Sequence, residues 1–96
     1  MLFVISSIDR KDALELRLAT RQAHLAYVRD NQMVRLGGPF LDEAGTMAGS
    51  LIVLEADDLA KAQAFAANDP YTKAGLFEAV SVRPWKATIN ACGATF

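Results

Sequence analysis

Leu14, Leu18, Leu25 and Val28 recur at separations that return to one side of an α-helix every three or four residues. This spacing predicts a long helix from about Asp12 to about Gln32, with Asp12 and Glu15 at capping-box separation at its start. In a chain of 96 residues such a helix leaves room for one core and for short elements around it.

The segments on either side have a different period. Leu2 to Ile8 is a short β-branched and aromatic run that stops at charged residues, which predicts a strand. Met33 to Phe40 and Met47 to Ala56 read as two more strands, joined as a hairpin by the polar turn 41–46. Pro39 cannot donate to a central ladder, so the Gly37-Gly38-Pro39 end marks a sheet edge, a bulge or a pocket wall. Asp57 or Asp58 caps a second helix through about Ala67, with Leu59, Ala62, Phe65 and Ala66 on its apolar face. Pro70 disfavours a helical Asp69 and ends it. Leu76 to Lys86 supplies a fourth strand, with Val80 and Val82 on one face and Phe77, Ser81 and Trp85 on the other.

The order is therefore βαββαβ: an α+β domain with a four-stranded antiparallel sheet and two helices on one face. Residues 1–96 form a single domain, with a core to about residue 87 and a patternless tail, 88–96. Bulky residues on the bare sheet face predict a homodimer packed sheet against sheet.

Charge and composition exclude several functions. A formal net charge of −1 with no Lys/Arg-rich segment gives no footprint for nucleic acid. No apolar run is long enough to cross a membrane, and the single cysteine, Cys92, cannot form an intrachain disulfide, so the expected compartment is the cytoplasm. One histidine and one cysteine make no metal set, and glycine motifs for nucleotide phosphates are absent. The expected chemistry uses no cofactor.

His24 is the only side chain whose ordinary pKa, about 6.5, suits proton exchange at neutral pH. A lone helical histidine is more often packed or solvated than catalytic. Arg17, Arg21 and His24, however, follow i, i+4, i+7 spacing along one helix stripe, suited to an anionic or phenolic ligand. The alternative is arginines that snorkel or pair with carboxylates. In Asp69-Pro70-Tyr71 the proline sets the backbone just after a helix, and an aspartate there that reached His24 would select its tautomer. Ser50 reads as a structural or ligand-contacting serine, because no nucleophile elbow surrounds it.

Arg21-Gln22-Ala23-His24-Leu25, Gly37-Gly38-Pro39, Gly49-Ser50, Asp69-Pro70-Tyr71, Gly75-Leu76-Phe77-Glu78 and Val80-Ser81-Val82-Arg83-Pro84-Trp85, in this order and spacing, resemble the YciI-like (YCII-related) family. The resemblance implies a ferredoxin-like fold of the dimeric α+β barrel superfamily, with a pocket between helix and sheet in each subunit. It also implies His24 and Asp69 as a catalytic pair, with Gly38, Pro39 and Ser50 as pocket wall; beside them Arg21 and Tyr71 are expected to contact a small-molecule ligand. One branch of the family removes chloride from a chlorinated hydroxyhydroquinone. The tail beyond Lys86 departs from the shorter family pattern, and the resemblance assigns Cys92 no role. The functional expectation is a cofactor-independent acid–base enzyme for elimination, dehalogenation or isomerisation. Its alternatives are a non-enzymatic binding module and a structural dimer partner whose His24 and Asp69 make only a buried polar contact.

Overall fold

The computed structural model describes residues 1–96. Strands β1 (Leu2–Asp9), β2 (Val34–Leu41), β3 (Met47–Glu55) and β4 (Phe77–Trp85) form one antiparallel sheet in the order β2-β3-β1-β4. Helices α1 (Leu14–Asn31), α2 (Leu59–Asn68) and the four-residue α3 (Pro70–Lys73) complete the chain. This is the ferredoxin-like arrangement, in which the first and third strands lie centrally and β2, with Pro39, is an edge.

Strand alternation sends Phe3 and Ile5 of β1 and Ile52 and Leu54 of β3 to the same side as Ala62, Phe65 and Ala66 of α2. Tyr27 and Val28 of α1 close over this cluster, so the helices share one sheet face. The cluster carries the hydrophobic stabilisation, at roughly 1.5–3 kcal/mol for each fully buried large side chain. Asp58 caps α2 by accepting from the Lys61 N–H at 2.8 Å.

The structure corrects four expectations. First, α1 starts at Leu14, and no side chain caps it, because Asp12 sits in the left-handed region at φ 57° and the N-cap position falls to Ala13. Second, Leu14, Leu18 and Leu25 are exposed, and the one fully buried residue of α1 is Arg17. The helix is rolled toward its Arg17–His24 stripe because that side finds partners under it: an acid, a carbonyl and a hydroxyl for Arg17, and the Phe65 carbonyl for the Tyr27 hydroxyl. Leucines left in water cost less than an arginine buried without acceptors.

Third, there are three helices rather than two. Proline does end α2 at Asn68, but its constrained φ also suits the first position of a new helical turn, and α3 begins at Pro70 itself. Fourth, Phe77 does not share the face of Ser81 and Trp85. The β1–β4 register shifts between Ile8 and Asp9, so that Asp9 pairs with Phe77 and Ile8 with Ala79. The extra residue turns Phe77 inward, where it meets the buried Tyr71 ring edge-on at 5.9 Å.

No helix or strand follows Trp85, and the Phe96 ring returns to Trp85 at 6.1 Å. No helix is long and apolar enough to cross a membrane.

Candidate functional site

Under the middle of α1 the sheet turns polar. Asp9 ends β1 on the inward side, and its carboxylate accepts from Arg17 Nε at 2.7 Å and Nη2 at 3.1 Å, in a fork-to-fork pair. Nη2 also reaches the Gly49 carbonyl at 2.7 Å and Ser50 Oγ at 2.8 Å. A Cβ at Gly49 would collide with the Ser7 carbonyl oxygen, so only glycine fits this close approach of β3 to β1. Burial is the largest single influence on Arg17 and pulls its pKa down. The hydrogen bonds and charge of Asp9, with Tyr71, outweigh it, and the net shift is upward. Arg17 is a permanent buried cation.

Asp69 occupies the junction between α2 and α3. Its side chain accepts the Tyr71 N–H at 2.9 Å as the N-cap of α3, and the Thr72 hydroxyl donates to the Ala66 carbonyl at 2.6 Å across the same corner. Both carboxylate oxygens lie 2.9 Å from His24 Nδ1. A carboxylate only accepts, so Nδ1 carries the proton and donates, leaving the Nε2 lone pair on the opposite edge of the ring. The two side chains are 12% and 6% exposed, which shields the pair from solvent while leaving the imidazole reachable.

Tyr71 touches both pairs. Its ring stacks on His24 at 4.1 Å and 17°, and the Arg17 guanidinium lies over it at 4.7 Å. The phenol ring is thus in contact with both the imidazole and the guanidinium. Burial raises the Tyr71 pKa against the opposing pull of Arg17 and Arg21, with Asp69 and Asp9 adding to the rise. Tyr71 is therefore a neutral hydroxyl near pH 7.

These groups border a cavity of about 370 Å³ between α1 and β2, within the usual range for a small-molecule site. Arg17, Arg21 and His24 line it from the helix, Gly38 and Pro39 from β2, and Ser50 from β3, with Tyr71 behind them. Val28, Val34 and Ile52 make its apolar floor. Every binding residue expected from the sequence thus borders one cavity, and Asp69 stands behind His24 against its Nδ1 edge.

Sequence reasoning missed Asp9, Arg35 and Met47. Asp9 was legible in principle, since it continues the inward set Phe3, Ile5, Ser7 at a period of two. Arg35 and Met47 line the cavity only because β2 and β3 pair under α1, and no local motif marks them. No third His, Cys, Asp or Glu joins His24 and Asp69 in a group that could hold a metal.

The model of the YCII-related domain matches residues 1–86. The chain belongs to the YCII-related family. Among YCII-related proteins, Protein YciI of Escherichia coli is 41% identical over 95 residues, covering 90% of this chain and 97% of its own length. A Haemophilus influenzae protein is 36% identical over 96 residues, with 90% and 97% covered. Among solved structures, the 5-chloro-2-hydroxyhydroquinone dehydrochlorinase TftG of Burkholderia phenoliruptrix, in complex with 2,5-dihydroxybenzoquinone, superposes at a TM-score of 0.81 with 39% identity, covering 90% of this chain and 94% of that one. An antibiotic biosynthesis monooxygenase, 17% identical with a TM-score of 0.58, covers 93% of this chain and 100% of its own, and shares the fold alone.

Proposed function

We propose that this YCII-related chain is a cofactor-independent enzyme in which His24, oriented by Asp69, moves a proton on a small anionic or phenolic molecule. The observation that carries this reading is the pairing of Nδ1 with both Asp69 oxygens. It directs a basic Nε2, which has no hydrogen-bond partner in the chain, to the cavity side of the ring.

The chemistry follows from the groups present. His24 Nε2 accepts a proton from substrate, a new double bond forms, and the leaving group departs with its electron pair, so an elimination of HCl needs no outside oxidant. Asp69 stabilises the imidazolium formed meanwhile. Returning the proton to a different atom would make the reaction an isomerisation. Ser50 and the neutral Tyr71 hydroxyl can hydrogen-bond substrate oxygens, and Gly38 and Pro39 form the edge-strand wall. The 39% identity to a dehydrochlorinase supports dehalogenation within this class. In the same reading the chain is a homodimer that covers Val4, Leu51 and Trp85 on the open sheet face and works in the cytoplasm.

The test is chloride release from 5-chloro-2-hydroxyhydroquinone, followed in the native chain, His24→Gln and Asp69→Asn. Loss of the base should lower kcat/KM by roughly 10²–10⁴-fold. Asp69→Asn should lower kcat and, by nitrogen NMR, relax the Nδ1–H tautomer. Full turnover in His24→Gln would contradict the proposal. Binding of unconverted 2,5-dihydroxybenzoquinone, with no turnover of the chlorinated compound, would favour a non-enzymatic binding module.

A further inference from the structure

The cavity has an unbalanced charge that the acid–base pair does not use. Arg17, Arg21, Arg35 and His24 line it, and no aspartate or glutamate does. Arg17 is neutralised by Asp9, and His24 is served from behind by Asp69. Arg21 and Arg35 make no salt bridge and donate no side-chain hydrogen bond within the chain, although acids are otherwise as numerous as bases.

Their placement gives this surplus a direction. Arg21 lies on α1 one turn before His24, and its charge reaches the Tyr71 hydroxyl. Arg35 lies at the start of β2, on the other wall, followed by the Gly37-Gly38-Pro39 segment. Both are exposed at the solvent side of a cavity whose floor is apolar. Guanidiniums on two walls, with Val28, Val34 and Ile52 in the lining that joins them, suit a flat ring bearing an anionic group at each of two edges.

We infer that the cavity selects a single-ring dianion, with Arg21 and Arg35 each binding one carboxylate-like group while the ring lies over Val28, Val34 and Ile52. This rests on the cavity being the reaction site, and it narrows the substrate class from anionic or phenolic to doubly anionic. The arginines are positioned to set affinity, and His24 to set turnover.

The experiment titrates the full chain by calorimetry with hydroquinone, 2,5-dihydroxybenzoate and 2,5-dihydroxyterephthalate, which keep the ring hydroxyls and carry zero, one and two carboxylates. Each carboxylate should tighten Kd by roughly tenfold, equal to about 1.4 kcal/mol. Arg21→Gln and Arg35→Gln should each weaken the dianion by about the same factor and affect hydroquinone much less. The advantage should shrink on going from low salt to 0.15 M, where the screening length is about 8 Å. Equal affinity for the three compounds, no binding of any, or a dianion indifferent to both substitutions overturns the inference. Repeating the series in His24→Gln separates the two proposals. A preserved dianion preference there, with no chloride released from 5-chloro-2-hydroxyhydroquinone by the native chain, upholds the arginine pair as a binding site and sinks the acid–base reading.

Discussion

Along β1 the inward side chains run Phe3, Ile5, Ser7, Asp9, and along β3 they run Leu54, Ile52, Ser50, partner against partner in the register. Both central strands therefore change from apolar to polar at the same end of the sheet. At the apolar end Phe3 and Leu54 of the sheet pack against Phe65 of α2 through hydrocarbon contacts. At the polar end Arg17, Ser50 and the side chain of Asp9 are also buried, but they are held by directional bonds. One end tolerates changes of shape in proportion to volume lost. The other tolerates them only if every polar group keeps a partner.

The largest effect should come from breaking the polar end on one side. Asp9→Ala strands the Arg17 guanidinium and should cost about 3–5 kcal/mol in urea denaturation. An apolar double substitution, Asp9→Leu with Arg17→Met, should recover most of that stability yet abolish turnover, because the Tyr71 ring would lose its guanidinium support. Recovery of both stability and activity would show that the polar end is only a structural device.

Next comes the apolar end. Leu54→Ala should cost about 2–5 kcal/mol, with kcat per folded molecule little changed, since Leu54 does not itself line the cavity and meets it only through apolar neighbours such as Val34. A fall in kcat would mean that the two ends are mechanically coupled.

A smaller change of opposite sign is expected at the boundary. Ser7 Oγ is buried with no hydrogen-bond partner, between Ile5 on the apolar side and Asp9 on the polar side. Ser7→Ala should stabilise the chain by roughly 1 kcal/mol, read from the denaturation midpoint. Destabilisation would place Ser7 inside the polar network.

The smallest effect concerns alkali. Burial raises the pKa of Tyr71 and of Tyr27, so the folded chain holds these protons more tightly than the unfolded one. Their contribution is complete below the unfolded value of about 10 and is lost as pH rises through the folded values. The urea midpoint should therefore decline above about pH 10, and less steeply in Tyr27→Phe. An unchanged slope would remove Tyr27 from that account.

Much of the fold was legible locally. Strand and helix order follows from period two against period 3.6, and Asp58, Pro39 and Pro70 act through their own backbone chemistry. His24 and Asp69 were nameable as candidates because histidine titrates in the useful range and proline defines the exit from α2. Their contact across 45 residues was not, since spacing within a helix says nothing of what faces it.

What the sequence by itself determined is the order of elements, the inward set of each central strand, and the helix stripe that holds Arg17, Arg21 and His24 together. Which stripe of α1 faces inward was decided only in the tertiary structure. Periodicity favoured the leucines, but Asp9, Gly49 and Ser50 meet at one place when β1 and β3 pair, and a buried arginine goes where its acceptors converge. The same pairing gathered Arg35 and Met47 into the cavity and turned Phe77 inward through a one-residue shift. Local periods report how a segment can fold, whereas long-range hydrogen bonds report what it finds when it does.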